Sequence, residues 1–496
     1  MNRLVAISVS GILLAACAVG PNYRAPVTPP AVVHNAQGPA FDTRTPEAAW
    51  WQEFADPELD SLVGRALAGN LDLRIAIDRV RAARAVFVGQ ALDYAPHVQA
   101  DAGYTHSDEQ VPGFGSERVD ARSATLGFDA SWEIDLFGHV RRSVEAARAD
   151  LGAEEATYRD AQVTVAAEVA RNYFELRGTQ KRLAVARENL ASEKQSLELT
   201  QLREQAGRGA ELDVVRSRAR LKATEATIPS FEAAEKQAGY RVAVLLGERP
   251  GVLDDELQPS PVPVFARVLP IGDPAELLRH RPDVRAAERQ LQAATARVGI
   301  ATADLFPRVS VTGFVGFLSG DVSRLFGTTP GIDTRAWSVA PSVSWAAFDI
   351  GSVRARLRAS KAQADEAAAN YEKVVLTALE DTESSFLVYS KRQSQLTSLG
   401  EQADASRRAA ELAEIQYREG VADFLVLLDA QRTQLDAEDA VAQAQTSVNV
   451  AVVAIYKALG GVGQSDAASL PAGPSIASVD LPTQEAGEQV SAIVRP

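Results

Sequence analysis

Two stretches of the chain, about 212 residues apart, read alike, so whatever this sequence folds into has to be built twice. Pro96 to Gly138 holds two runs of alternating apolar and polar residues and closes on W-E-I-D-L-F-G. Pro307 to Gly351 holds two more and closes on W-A-A-F-D-I-G. A very long helical pattern follows each copy, passing Glu168 and Phe174 in the first and Glu380 and Phe386 in the second. Each pattern breaks at a glycine-containing turn, from Gly207 and from Gly420, and resumes as a return helix. The unit is strand, strand, long helix, turn, helix.

The helices are read from periodicity. Val144, Leu151, Tyr158 and Val165 recur every seventh residue, and Leu176, Leu183, Leu190 and Leu197 do so again after a step of eleven. Val375, Thr382, Tyr389 and Leu396 keep the spacing in the second copy, and Leu428, Leu435, Ala442, Asn449 and Tyr456 continue it on the return helix. Sustained heptads mean coiled-coil seams, and the eleven-residue step locally relaxes the supercoil. At about 1.5 Å per residue the first long helix would extend ~100 Å. No compact domain accommodates that length; a tube or rod does, and the strands argue against a simple rod.

In the strands Val98, Ala100, Ala102 and Tyr104 alternate with polar or small residues, as do Ala124, Leu126, Phe128, Ala130 and Trp132. Trp337, Val339, Val343 and Trp345 repeat the pattern, while Val309 to Leu318 follows it less cleanly. Segments of about ten residues, apolar on one face with aromatics near the ends, fit transmembrane barrel strands; a half-exposed soluble sheet gives the same alternation. If the strands do span a membrane, four cannot close a barrel and an open edge cannot sit in lipid. Two copies would give eight strands, whose interior side chains nearly fill; three give twelve and leave room for water. The stretches Asp108 to Asp120 and Ser319 to Arg335 would then be surface loops. The predicted fold class is an α+β membrane protein, a long coiled-coil helical barrel plus a 12-stranded transmembrane β-barrel assembled from three protomers.

One cysteine, Cys17, stands behind a short apolar run in the layout of a secretory signal peptide. A single thiol cannot form an internal disulfide. Leu14-Ala15-Ala16-Cys17 looks like a bacterial lipobox, which would make Cys17 a lipidated N-terminus and its covalent lipid the only attached group. No later stretch reaches the ~18 uninterrupted apolar residues of a spanning helix. The formal charge of −14 and pI near 5.1 argue against nucleic acid as a partner.

The lipobox followed by V-G-P-N-Y-R-A-P, the stretch R-P-D-V-R-A-A-E-R-Q-L from Arg281, V-G-I-A-T-A-D-L-F-P from Val298 and Y-R-E-G-V-A-D-F-L-V-L-L-D-A-Q from Tyr417 resemble the outer-membrane factors of tripartite efflux systems, the TolC/OprM-like lipoproteins. The resemblance covers the chain to about Gly463. It implies a homotrimeric duct in the outer membrane, extending into the periplasm, that passively passes drugs or other small toxic compounds from a periplasmic membrane-fusion adaptor and an inner-membrane RND-type pump. A type I protein-secretion duct is the alternative within that class. It divides the chain into a signal peptide (1–16), a lipid-anchored segment with part of an equatorial belt (17–70), a first repeat (71–247), an equatorial linker (248–273), a second repeat (274–463) and a polar tail (464–496). Expected elements are strands near 96–107, 122–134, 307–318 and 336–348, long helices near 138–205 and 351–418, and return helices near 212–246 and 424–459.

In this family the two helix turns form a periplasmic tip that closes like an iris. By motif, Asp213 belongs at the constriction, with Leu425 one turn before Asp429 and Tyr417 at the end of the incoming helix. Threefold symmetry would gather each acid into a ring, with a leucine ring excluding water. Arg216, Arg418 and Arg432 are near enough in sequence to latch these acids, and Asp423 reads equally well as a helix N-cap.

An enzyme is not indicated. There is no Walker A sequence, and His34, His97, His106, His139 and His280 lack paired metal-ligand spacing. Glu168 and Glu380 are better explained as equivalent seam positions than as a catalytic pair. Methionine occurs only at Met1, which removes the thioether ladder expected of a duct handling copper(I). A periplasmic coiled-coil lipoprotein adaptor, the reading from another class, would need one hairpin rather than a duplicated unit.

Overall fold

The computed structural model describes residues 18–461 apart from 27–32, 39, 45–48, 111–117, 264, 266–267, 274–275, 277, 279 and 327–332. The signal peptide, Cys17 and the polar tail from 464 lie outside the described residues. The principal helices are α1 (Pro57–Gly69), α2 (Leu71–Leu92), α3 (His139–Gln205), α4 (Glu211–Leu245), α5 (Pro282–Ala303), α6 (Ile350–Arg418) and α7 (Phe424–Ala458). Phe41–Asp42 (β1) pairs in parallel with Leu269–Pro270 (β4). Four longer strands, β2 (His97–Gln110), β3 (Arg118–Ile134), β5 (Arg308–Ser319) and β6 (Arg335–Ser344), make an antiparallel sheet in the order β2-β3-β5-β6.

The 67 residues of α3 and 69 of α6 make two rods of about 100 Å. Four long helices end in the same way. After α3, Gly207 turns at φ +70°, its N–H reaching Glu204 and that of Arg208 reaching the Arg203 carbonyl; after α6, Gly420 (φ +75°) and Val421 repeat the bonds to Tyr417 and Gln416. This is the Schellman closure, which needs a left-handed residue and so selects glycine. Gly247 and Gly460 close α4 and α7 by the same scheme. At the other ends Asp56 accepts bonds from Glu58 and Leu59 to start α1, and Asn70 accepts from Asp72 and Leu73 to start α2.

Register gives the sheet two unlike faces. Ala100, Phe128, Val315 and Trp337 form one row across all four strands, and Val98, Ala130, Gly313 and Val339 form the next. The opposite face carries Gln99, Asp129, Phe314 and Ser338 in one row and Asp101, Gly127, Gly316 and Ala336 in another. The uneven pattern of Val309 to Leu318 now has its reason: Phe314 and Leu318 lie on the polar face. At the sheet base the two copies match, the Trp132 indole donating to the Tyr94 carbonyl and that of Trp345 to the Leu305 carbonyl, each at 3.1 Å.

Two boundaries differ from the sequence reading. Asp108 to Asp120 is not simply a loop, because β2 and β3 stay paired out to Gln110 and Arg118. Cross-strand pairs of His106 with Asp120 (3.0 Å) and Arg118 with Asp108 (3.1 Å) hold this extension. The last strand stops at Ser344 rather than near 348, since its partner β5 begins at Arg308 opposite it. No helix among the described residues is long and apolar enough to cross a membrane.

The core sits at mid-length of the rods, where α1 and the described residues of 33–38, 40–44 and 49–54 pack on them. Phe174 and Phe386, equivalent in the repeat, are both fully buried; Phe54 packs on Phe174 with centroids 4.6 Å apart and Phe41 on Phe386 at 4.9 Å. Trp50 stacks on Tyr456 at 5.2 Å. Glu168 is held by Arg171 on its own helix (2.6 Å), and Glu380 is exposed. The segment following Cys17 is clamped where strands meet rods. Val19 N–H donates to the Phe137 carbonyl, Arg142 reaches Asn22 at 2.6 Å, and the Tyr23 hydroxyl donates to Glu288 at 3.0 Å.

Candidate functional site at the paired helix turns

The far ends of both hairpins lie side by side, joined at the tip by Arg203 and further up by Gln431, which donates to the Ser196 hydroxyl at 2.9 Å. Arg203, in the last turn of α3, donates through Nη1 to the Tyr417 carbonyl in the last turn of α6, and its guanidinium lies 4.4 Å from the Tyr417 ring centroid. A cation at the C-terminal end of a helix answers the helix dipole, and here it adds a second donor to a carbonyl that already accepts from Gly420. The Tyr417 ring is 4% exposed and packs against Phe424 (centroids 5.6 Å) in a small cluster with Ala413 and Leu427. Burial raises the Tyr417 hydroxyl above the ordinary phenol value; the Arg203 charge opposes that shift and the Asp213 charge adds to it.

Asp213 stands in the first turn of α4, where a carboxylate suits the exposed N–H groups. Leu425, in the first turn of α7, is 52% exposed, and with Asp429 it lines an open groove of about 820 Å³ beside Leu412 and Gln416. Asp423 occupies the N-cap position of α7, but its side chain makes no capping bond. The three arginines divide. Arg432 meets Asp429 at 3.1 Å along the same helix, Arg418 bonds Glu414 one turn back rather than a tip acid, and Arg216 is half-buried on α4. The structure thus gathers Asp213 and Tyr417 at one junction, with Leu425 and Asp429 on the neighbouring groove. Arg203 escaped the sequence reading because it is 214 residues from Tyr417; its only local signal is a cation four residues before Gly207.

Both copies of the duplicated unit match the family described as outer membrane efflux protein, over residues 62–248 and 274–461. The chain belongs to this family. It is 32% identical over 473 residues to the antibiotic efflux pump outer membrane protein ArpC of Pseudomonas putida, covering 93% of this chain and 96% of that one. The outer-membrane channel OprN superposes with a TM-score of 0.87 at 50% identity, over 90% of this chain and 99% of OprN. The open-state outer membrane channel MtrE of Neisseria gonorrhoeae gives 0.77 at 28% identity, over 90% and 98%. An outer membrane efflux protein is a channel, not an enzyme, and this one is the outer-membrane exit duct of an efflux system. Among the described residues no group of three or more His, Cys, Asp or Glu side chains is placed to hold a metal ion.

Proposed function

We propose that three copies of the chain join their four-stranded sheets into one twelve-stranded barrel and their rods into one tube, through which drugs or other small toxic compounds leave passively. The observation that carries this is the sheet itself, apolar in continuous rows on one face yet ending in two unpaired edges, β2 and β6. Such edges cannot remain open in hydrocarbon, and pairing β6 of one copy with β2 of the next closes them. A periplasmic adaptor and an inner-membrane RND-type pump would engage the opposite end. A lipid on Cys17 would reinforce the attachment, because Ala18 rests against Gly138 at the junction of sheet and rods, where a Cβ on Gly138 would come within 2.8 Å of the Ala18 Cα.

The tip acts as the gate in this reading. Tyr417 and Arg203 tie the second hairpin to the first, Asp213 and Asp429 supply acid rings, and Leu425 supplies the apolar ring between waters. Arg216, Arg418 and Arg432 act across copies, where threefold packing brings them near the acids of a neighbour. Opening requires the two hairpins of a protomer to part, a two-state shift biased by partner contacts. Single-channel conductance of the detergent-extracted protein in a planar bilayer tests it. A small parent conductance that rises in Asp429→Ala supports duct and gate together. No conductance in either, with a monomer by mass, overturns the duct.

A further inference from the structure

Phe314 is the one Phe, Tyr or Trp on the polar face of the sheet among its described strand positions, and its ring lies against the wall. Phe314 on β5 extends over two glycines: a Cβ on Gly127 would come within 2.6 Å of its Cε2, and one on Gly316 within 2.9 Å of its Cζ. At Gly316 the backbone of the neighbouring strand also excludes a side chain, and at Gly127 the Val315 carbonyl stands as close as the ring, so both positions stay bare beneath Phe314. Asp129 is directly opposite Phe314 in the ladder and Asp101 directly opposite Gly127. Directly opposed residues have Cβ atoms about 5 Å apart, which sets Asp129 beside Phe314, while Asp101 stands on the same face beside the glycine that the ring covers. Neither carboxylate has an ion-pair partner among the described residues. The surrounding wall is small, with Ser338 and Ala336 completing the two rows.

The inner face of the ring covers the backbone of Gly127 and Gly316, which helps the sheet as any buried apolar area does, and its outer face is left over. Laid flat, its π face is free, and a π face beside unpaired carboxylates attracts a flat cation through stacking and charge together. We propose that Phe314, Asp129 and Asp101 form a shelf on the lumenal wall that binds aromatic cations in transit, three shelves at one level in the trimer. This rests on the duct reading for the face that points inward. Anions and aliphatic cations lack one of the two recognition elements and pass the shelf without pausing.

The test uses propidium, a membrane-impermeant aromatic dication, with hexamethonium as an aliphatic dication and pyranine as an aromatic anion. Each is titrated into the purified trimer in maltoside, read by fluorescence or by competition with propidium, and applied from the extracellular side of single channels. Propidium should bind and interrupt current in the parent, and Phe314→Leu or Asp129→Asn, checked for intact trimer, should each weaken it by roughly tenfold. Hexamethonium and pyranine should act weakly and equally on parent and Phe314→Leu. Equal propidium binding in parent and Phe314→Leu trimers, or hexamethonium as effective as propidium, overturns the shelf. A parent that binds propidium at Phe314 yet carries no current keeps the shelf and sinks the duct.

Discussion

The two hairpins have nearly the same length and the same turn chemistry, yet they are fastened differently. Of the 67 residues of α3, 25 are buried, against 12 of 69 in α6. The contrast is sharpest at one repeat position. In the first hairpin it is Arg177, fully buried, bonded to Glu58, to the Gln258 carbonyl and to Gln180, with its guanidinium 5.0 Å from the Tyr173 ring. In the second it is Tyr389, equally buried, its hydroxyl accepting from Gln393 and meeting no other side chain among the described residues. The first hairpin is bolted to the belt by a buried charge. The second is packed by rings and leaves Leu376, Leu387, Val388, Leu412 and Ile415 exposed along its length. The two halves share one architecture, but one is an anchor and the other keeps more of its apolar surface uncovered in the single chain.

Removing the bolt should have the largest effect. Arg177→Ala leaves Glu58 charged and half-buried, and we expect about 3–5 kcal/mol of lost stability, read as a lower unfolding midpoint in denaturant. Arg177→Met alone should recover little, since Glu58 stays unpaired, whereas Arg177→Met combined with Glu58→Leu should recover much of it; no recovery in the pair would mean the charge itself is required. The link between hairpins comes next. Arg203→Ala removes a charged hydrogen bond and a stacked cation, interactions that together shift a two-state equilibrium by roughly tenfold or more. Mean single-channel open probability should rise accordingly, and an unchanged value would place the restraint elsewhere.

A third test concerns a buried acid below the belt. Glu193 on α3 accepts bonds from Arg220 (2.9 Å) and Thr224 (3.0 Å), but burial dominates and holds its carboxyl above the ordinary glutamate value. The folded chain therefore binds this proton more tightly than the unfolded chain. Stability from this group is highest at low pH and falls as pH rises from the ordinary carboxylate range through the raised value. Glu193→Gln should flatten that part of the stability profile, measured by denaturant unfolding at stepped pH. An unchanged slope would assign it to another acid. The smallest effect belongs to Tyr389→Phe, about 1 kcal/mol or less, because one hydroxyl bond is lost and the ring stays. A cost near that of Arg177→Ala would erase the contrast between the hairpins.

Much of the fold was legible because its signals are local or periodic. Gly207 and Gly420 announce their turns by residue type, and Phe174 and Phe386 mark the core by recurring at the repeat spacing. The site was legible in part. Tyr417, Leu425 and Asp429 lie in one continuous motif, whereas Arg203 reaches them only through the packing of two hairpins. Val309 to Leu318 follows the strand alternation unevenly, and only the register with β3 shows Phe314 there as a ring over two glycines. The extension of β2 and β3 was hidden by charged residues that pair across strands, where composition alone suggests a loop.

By itself the sequence determined the duplicated unit, the length of its rods, the helix stops and the two-faced strands, because periodicity and backbone preference act over a few residues at a time. Tertiary structure decided which hairpin carries a buried charge, which tip residues meet and which side of a strand a ring occupies. Those depend on groups separated by as much as 214 residues coming within hydrogen-bond reach, as Arg203 and Tyr417 do, and no local pattern encodes that approach.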